Sequence, residues 1–333
     1  MAAWDHDVSR VLRPAKILGE CVVLYRTEEG DPVALEDACP HRKLPLSMGR
    51  LRGDSIECGY HGLVFDPKGH CTRIPGVKRV PPSVGVRVYP TVSRYGLVWI
   101  WMGDPARADP QLIFPVEHWG ESDWGRNRGG TMRVDCNYLF ITDNLLDPSH
   151  VAWVHRSSFG NDACEAPSTE VTATDKGVIA ARWLRDVDVA PFYAPFVTFG
   201  GRCDRLQHYE VRYPSHAIIR AVFAPAGTGG VATAFDHRVR VMDSYNFMTP
   251  IDETHTQYFW FQLRNFAPHD DTVSRMMDEG VAAAFAEDKT VLNAVQVGFT
   301  NRVTRNIDLA GDRAGSLFRQ RLDQLIAAER AEA

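Results

Sequence analysis

Two short segments of the sequence each carry one cysteine and one histidine. In CPHRKLPLSMGRLRGDSIECGYHGLVFD, Cys39 and His41 form a C-x-H pair, and Cys58 and His61 form a C-x₂-H pair. Two such loops at the ends of neighbouring strands can bring two thiolates and two imidazoles to one point. Two thiolates on one iron and two imidazoles on the other are the ligands of a Rieske [2Fe–2S] cluster. The spacing therefore predicts such a cluster, which accepts electrons from a donor and passes them on.

A structural zinc site is the alternative for these four residues. Zinc fingers normally place two cysteines in one loop and two histidines in the other, whereas here each loop carries one of each. The pattern therefore favours iron. Equal amounts of iron and acid-labile sulfide would support the cluster, and zinc without sulfide would refute it.

A second group of candidate ligands lies in DNLLDPSHVAWVHRSSFG. His150 and His155 are five residues apart, which places their side chains about 140° apart on a regular helix. Convergence on one metal therefore requires a helix end or a π-bulge between them. Asp147 precedes His150 by three residues and can share its face. We expect Asp147 to accept a hydrogen bond from the ring of His150 or from the ring of a histidine in a partner subunit.

A third ligand is predicted on a helix near the C-terminus. In DEGVAAAFAEDKTVLNAVQV, Asp288 falls on the same stripe as the apolar residues Val281, Phe285 and Leu292. A carboxylate that faces a core is costly unless something binds it. Its neighbour Glu287 is rotated off the stripe, and we expect it to be solvated. Two imidazoles and one carboxylate form the facial triad of non-haem Fe(II) oxygenases, which leaves open positions for O₂.

Taken alone, two histidines five residues apart are more simply interpreted as surface residues of a helix. The cluster motif upstream and the core carboxylate downstream reverse that interpretation. Loss of mononuclear iron on replacing Asp288 would support the assignment, and retained iron would refute it.

The elements that position these residues divide the chain in two. Residues 1–110 contain short β segments separated by glycine, proline and aspartate, which predicts a small all-β domain. Residues 111–333 contain strands and long helices, which predicts an α+β domain with an antiparallel sheet packed against helices. The predicted strands lie near 178–184, 207–213, 216–224, 233–242 and 256–264, and the predicted helices at 272–298 and 314–331.

The composition limits the possible partners and location. The chain has 333 residues and a formal net charge of −5, so nothing suggests nucleic-acid binding. Its apolar runs are far shorter than the roughly 18 residues of a membrane span. The N-terminal residues show no secretory signal pattern, so we expect a cytoplasmic protein. Seven cysteines spread over the chain argue against a disulfide scaffold.

With both ligand groups identified, the sequence resembles the α-subunits of Rieske non-haem iron oxygenases over almost its whole length. The resemblance is to the branch that contains vanillate O-demethylase, toluenesulfonate methyl-monooxygenase and dicamba monooxygenase. The matching segments are CPHRKLPLSMGRL, CGYHGLVFD, IPG, RYGLVWIWMGDPARADP, CNYLFITDNLLDPSHVAWVH, YFWFQLRNF and AFAEDKTVLNAVQ. The family usually has an aromatic segment before the position of Ala2, so here the first strand is missing or the chain begins upstream.

The resemblance implies a role for each candidate residue. Cys39, His41, Cys58 and His61 would hold the cluster, and His150, His155 and Asp288 would hold Fe(II). Asp147 would bridge the two centres between neighbouring subunits of a homotrimeric α₃ ring, and Asn144 would lie beside the iron. The family's catalytic domain is a helix-grip fold, which is consistent with the α+β prediction.

The resemblance also implies an activity. A flavin and [2Fe–2S] reductase, or a ferredoxin, would pass electrons from NAD(P)H to the cluster, and O₂ would hydroxylate a methyl or methoxy group of an aromatic acid. O-demethylation of a vanillate-like substrate is the specific expectation. The alternatives are a ring dioxygenase that forms a cis-dihydrodiol and an electron-transfer protein without oxygenase chemistry. We expect residues 183–199 to line the substrate pocket, with Arg212 or Arg220 as candidates to bind a substrate carboxylate.

Overall fold

The computed structural model describes residues 1–165, 168–228 and 238–332. The chain forms two compact units, 1–115 and 116–333. The sequence analysis placed this division at residue 110. In the described parts of the chain, no helix is both long and apolar enough to cross a membrane.

The first unit contains three antiparallel sheets, ordered β2-β3-β4-β9, β5-β6-β7-β8 and β1-β11-β10. Ala3 and Trp4 form a short first strand that pairs with Val98 and Leu97. The strands are β1 Ala3–Trp4, β2 Arg13–Ile17, β3 Glu20–Arg26, β4 Pro32–Glu36, β5 Arg50–Arg52, β6 Ser55–Glu57, β7 Val64–Phe65, β8 Cys71–Arg73, β9 Val88–Tyr89, β10 Thr91–Arg94 and β11 Leu97–Ile100.

Two-residue turns set the register of the hairpins in this unit. Leu18 and Gly19 join β2 to β3 and have φ of 51° and 84°. Tyr95 and Gly96 join β10 to β11 with φ of 56° and 72°. Positive φ at both positions is typical of the type I′ turns that match the twist of antiparallel strands. These tight connections leave the longer loops after β4 and β6 to carry the four candidate cluster ligands.

The second unit is built on one eight-stranded antiparallel sheet. Its order is β12-β19-β18-β17-β16-β15-β14, and β13 also pairs with β19. The elements are β12 Gly125–Arg126, β13 Gly130–Val134, α1 Tyr138–Leu145, β14 Glu170–Ala173, β15 Gly177–Val187, β16 Cys203–Arg212, β17 His216–Pro225, β18 Arg240–Asp252, β19 His255–Arg264, α2 Asp271–Thr300 and α3 Arg313–Glu332.

One face of this sheet packs against the long helix α2. The carboxylate of Asp270 accepts hydrogen bonds from the N–H groups of Thr272 and Val273 and so begins the helix. Phe285, in the middle of α2, lies 5.1 Å from the ring of Trp260 and 5.4 Å from that of Tyr258. The side chains between the sheet and α2 therefore form a largely apolar interior.

The α+β prediction is confirmed, with a small all-β unit followed by an antiparallel sheet and helices. Helices α2 and α3 and four of the five predicted strands lie where the sequence places them. The fifth predicted strand, 233–242, lies partly outside the described residues; of its described part, residues 240–242 belong to β18. Helix α1, which precedes the candidate iron-binding histidines, is short and ends at Leu145.

Candidate metal centres

The two loops of the first unit that carry cysteine and histidine have the same backbone hydrogen-bond pattern. In each, the cysteine N–H donates to the carbonyl five residues later, and the cysteine carbonyl accepts from the N–H four residues later. A residue with positive φ completes each loop, Lys43 at 60° and Gly62 at 70°. The hydrogen bonds are Cys39 N to Leu44 O, 2.9 Å; Lys43 N to Cys39 O, 2.8 Å; Cys58 N to Leu63 O, 2.8 Å; and Gly62 N to Cys58 O, 3.1 Å.

The thiols and imidazoles of these loops differ in burial. Cys39 and Cys58 are only 2% and 3% exposed, and burial raises the pKa of the Cys39 thiol. His41 and His61 are exposed, and their Nδ1 atoms lie 3.1 Å apart. Two buried thiols and two adjacent imidazole nitrogens fit a two-iron cluster with one iron held by sulfur and the other by nitrogen. Its imidazole edge would reach the surface.

The second unit brings together the three side chains predicted to hold iron. One ligand atom from each of His150, His155 and Asp288 lies within 4.8 Å of the others. Asp288 Oδ1 is 3.1 Å from His155 Nε2 and 3.8 Å from His150 Nε2. Helix α1 ends before the histidines, and residues 150–152 form a 3₁₀ turn. Neither histidine therefore lies on α1, and the irregularity expected between them is the end of the 3₁₀ turn, after Ala152.

Hydrogen bonds orient both imidazoles so that their Nε2 atoms face Asp288. His155 Nδ1 is 2.8 Å from a carboxylate oxygen of Glu287, and His150 Nδ1 contacts the backbone carbonyl of Asp147. A hydrogen bond at one ring nitrogen leaves the other free to bind a metal. Two imidazole nitrogens and a carboxylate oxygen on one side suit Fe(II) with open positions.

Two details differ from the sequence expectations. Glu287 is not simply solvated, because its carboxylate accepts hydrogen bonds from His155 and from Ser158 Oγ, at 3.0 Å. The loop that carries His155 folds over this face of α2, which helical periodicity cannot reveal. Asp147 supports His150 through its carbonyl, whereas its carboxylate accepts hydrogen bonds from the backbone N–H and the hydroxyl of Ser149.

The electrostatics of the two histidines differ. Burial lowers the pKa of His150 despite the nearby Asp288 carboxylate. Burial also acts to lower the pKa of His155, but hydrogen bonds with Asp288 and Glu287 outweigh it and raise that pKa. The two carboxylates thus stabilise positive charge at His155. Asn144 Nδ2 donates to Asp288 Oδ1 at 3.0 Å, which places Asn144 beside the candidate iron ligands.

A pocket opens next to these ligands between the sheet and α2. Residues 183–199 contribute Phe192 and Tyr193 to its wall, in agreement with the sequence prediction. Neither candidate arginine lines it. Side chains alternate along β17, so Ile219 and Ala221 line the pocket and Arg220 lies on the opposite face of the sheet. There Arg220 donates hydrogen bonds to Asp243 and Glu117. Arg212 bonds to Glu210.

Replacing Glu287 with glutamine should weaken iron binding in the second unit by about 10-fold to 100-fold, a range found for groups that support metal ligands. The amide lacks the charge that orients the His155 ring. The dissociation constant of Fe(II) at this site, measured with the cluster intact, checks the prediction. Glu279→Gln, an exposed carboxylate on the same helix, is the matched control. Equal affinities in the two variants would contradict the supporting role.

Comparison with known proteins matches each unit to a protein family. Residues 3–90 match the Rieske [2Fe–2S] domain, and residues 134–328 match the vanillate O-demethylase oxygenase C-terminal domain. An iron-sulfur subunit of the toluene-4-sulfonate monooxygenase system of Comamonas testosteroni is 38% identical, over 99% of this chain and 96% of that subunit. A vanillate O-demethylase oxygenase subunit of a Pseudomonas species is 34% identical, over 95% and 97%.

Solved structures agree with this. The crystal structure of dicamba monooxygenase bound to dicamba superposes with a TM-score of 0.88 at 30% identity, covering 99% of this chain and 96% of that one. A Rieske domain followed by an oxygenase domain of this type defines the oxygenase components of Rieske non-haem iron systems. This chain belongs to that family, with the C-terminal domain of vanillate O-demethylase oxygenases. The resemblance noted in the sequence is confirmed, and the chain is an oxidoreductase.

Proposed function

We propose that this chain hydroxylates a methyl or methoxy carbon of an aromatic acid, with O-demethylation of a vanillate-like substrate as its reaction. The observation that carries the proposal is the position of the His150, His155 and Asp288 ligand set. These three residues line one end of an apolar pocket whose other walls include several aromatic side chains. A flat ring in this pocket would have its substituent next to the metal.

The chain's own residues have distinct parts in this reaction. Cys39, Cys58, His41 and His61 would hold the cluster, and the second-unit ligands would hold Fe(II). The iron would supply O₂ activation with electrons from the cluster. Phe159, Phe192, Tyr193 and Phe285 line the pocket, and they would orient the ring and exclude water by offering apolar faces.

Electron supply would come from outside the chain. Relatives named as parts of monooxygenase systems support a separate reductase or ferredoxin that draws on NAD(P)H. We also propose an α₃ ring in which Asp147 links the cluster of one subunit to the iron of its neighbour. The exposed edge of His41 and His61 supports this, because ligands at a surface can approach a second protein. A solution mass three times the 37.3 kDa of one chain would agree with the ring; a monomer would not.

The direct test supplies the iron-loaded chain with a flavin and [2Fe–2S] reductase, NADH, O₂ and vanillate. The aryl methyl ether, O₂, NADH and a proton should yield the phenol, formaldehyde, NAD⁺ and water. Formaldehyde and phenol in equal amounts, matched to O₂ and NADH consumed, are the expected result. NADH oxidation that yields only hydrogen peroxide with every methoxylated or methylated acid would contradict the proposal.

Hydroxylation of a ring methyl group is a second candidate, favoured by the 38% identity to a toluene-4-sulfonate monooxygenase subunit. The same assay with toluene-4-sulfonate separates the two reactions. Methyl hydroxylation would give a hydroxymethyl product and no formaldehyde. A cis-dihydrodiol from either substrate would instead indicate the dioxygenase alternative.

A further inference from the structure

The pocket extends well beyond the candidate iron ligands. Tyr258, on β19, lines a cavity together with Asp288, whereas Gln262 lines the main pocket four residues further along the same strand. Four residues of strand span about 13 Å. Helix α2 gives a matching measure, since the pocket residue Met277 precedes Asp288 by eleven residues, or about 16 Å. The pocket therefore has a far end, marked by Gln262 and Met277.

Polar side chains form the sheet wall at this far end. Ser244 and Gln262 are cross-strand neighbours on β18 and β19, and both line the pocket. Gln262 Nε2 donates to Ser244 Oγ at 3.0 Å. None of the described residues that line the pocket is lysine or arginine. Neutral groups therefore decide which substituent is accepted here.

A chain of hydrogen bonds fixes the orientation of the Gln262 amide. Asn127 Nδ2 donates to the carboxylate of Asp278 at 2.7 Å, and Asn127 Oδ1 accepts from the backbone N–H of Gln262 at 3.1 Å. A carboxylate only accepts and a backbone N–H only donates, so the Asn127 amide has one orientation. Asn127 Nδ2 then donates to Gln262 Oε1 at 2.6 Å, which directs Gln262 Nε2 towards Ser244.

The backbone around Asn127 maintains this arrangement. Gly129 N also donates to Asp278, at 2.9 Å. Gly129 has φ of +77°, and a Cβ atom there would lie 2.1 Å from the carbonyl oxygen of Trp260. Only glycine fits such a position. The loop can therefore wrap the Asp278 carboxylate closely.

The result is a wall that presents hydrogen-bond donors. Ser244 Oγ accepts from Gln262 and donates its own proton to Asn246 Oδ1 across 3.4 Å. Asn246 Oδ1 also accepts from Tyr258 at the shorter distance of 2.9 Å, so a closer acceptor in the pocket would compete for the Ser244 proton. Gln262 Nε2 has a second N–H as well. A bound group that accepts hydrogen bonds would satisfy both donors.

We infer that Ser244 and Gln262 bind a hydrogen-bond-accepting acid substituent, a carboxylate or a sulfonate, on the ring of the substrate. This inference rests on the proposed function, because it assumes an aromatic substrate whose reacting carbon lies at the metal end. The two side chains hold the opposite end of the ring. Asp278 and Asn127 are positioning residues that set which atoms of Gln262 face the pocket.

The test compares binding of vanillate with binding of guaiacol, which lacks the carboxylate, to the iron-loaded holoenzyme by calorimetry. In the unmodified chain vanillate should bind more tightly. Ser244→Ala should weaken vanillate binding by about 10-fold to 100-fold, the effect of losing a hydrogen bond to a charged group, and leave guaiacol unchanged. Ser244→Thr, which keeps the hydroxyl, should restore most of the preference. Toluene-4-sulfonate and toluene form the matching pair for a sulfonate.

A second variant reverses the polarity of the wall. Gln262→Glu replaces the donating amide with acceptors and should abolish the preference for vanillate. Thr172→Ala, on the exposed strand β14, is the control and should change nothing. If the ratio of vanillate affinity to guaiacol affinity is unchanged in both Ser244→Ala and Gln262→Glu, with normal turnover, the binding of the acid substituent by Ser244 and Gln262 is contradicted. The proposed function is not affected by that result. Absence of both binding and turnover with every probe would overturn the proposed function as well.

Discussion

Asp288→Ala should lose the mononuclear iron and all turnover while it keeps the cluster. The carboxylate lies 3.1 Å from His155 Nε2 and supplies the single anionic ligand of the set. Without it, two neutral imidazoles must hold a divalent cation alone, which is a poor site for Fe(II). Total iron should fall from about three to about two per chain, because the cluster accounts for two.

Metal analysis, acid-labile sulfide and the visible spectrum measure this result together. The spectrum of the cluster should be unchanged, since its ligands lie in the other unit. Glu279→Ala, an exposed carboxylate of the same helix, should keep all the iron. Retention of about three irons per chain by Asp288→Ala would exclude this residue as a ligand.

The opposite loss is expected from Cys58→Ala. The thiol is buried and lies in one of two loops with matching hydrogen bonds, so its loss removes one of the two sulfur ligands that these loops supply. The variant should lose both cluster irons and the sulfide, about two of each per chain. Turnover with a reductase should fall to background because electrons no longer enter.

Cys71→Ala is the matched control for this prediction. Cys71 is also buried, at 7% exposed, and packs in the same apolar cluster as Cys58, but its thiol donates to the backbone carbonyl of Arg73. It should keep sulfide, colour and turnover. Equal loss of sulfide in both variants would indicate general unfolding of the first unit, and retained mononuclear iron in Cys58→Ala would show that the second unit is intact.

The candidate ligands could be predicted because short segments of the sequence contain the residue types and spacings that identify them. Each loop of the first unit contains its own cysteine and histidine, and Asp288 stands out as a charge on an apolar stripe. An irregularity between His150 and His155 could also be predicted, since a spacing of five is incompatible with one helical face. The end of α1 at Leu145, before both histidines, was not predicted. Strands and long helices followed from their periodicity in the same way.

The supporting residues could not be found in this manner. Helical periodicity describes α2 alone, so it could not show that the loop from His155 to Ser158 covers Glu287. The hydrogen-bonded group at the far end of the pocket consists of Asn127, Ser244, Gln262 and Asp278. These residues come from separate elements and share no sequence spacing. Arg220 lies outside the pocket because side chains alternate along β17, which places it on the opposite face from Ile219 and Ala221.

Asp278, Glu287 and Asp288 all lie on helix α2. The helix therefore fixes the distance and the rotation between the two ends of the pocket. Inserting or deleting one residue between Asp278 and Glu287 would rotate one end against the other by about 100°. Relatives that accept substrates of different length should therefore differ in the size of the side chains along this helix, or by insertions or deletions of whole helical turns. The roughly 15 Å between Asp278 and Asp288 along α2 therefore limits the length of the molecules that can react.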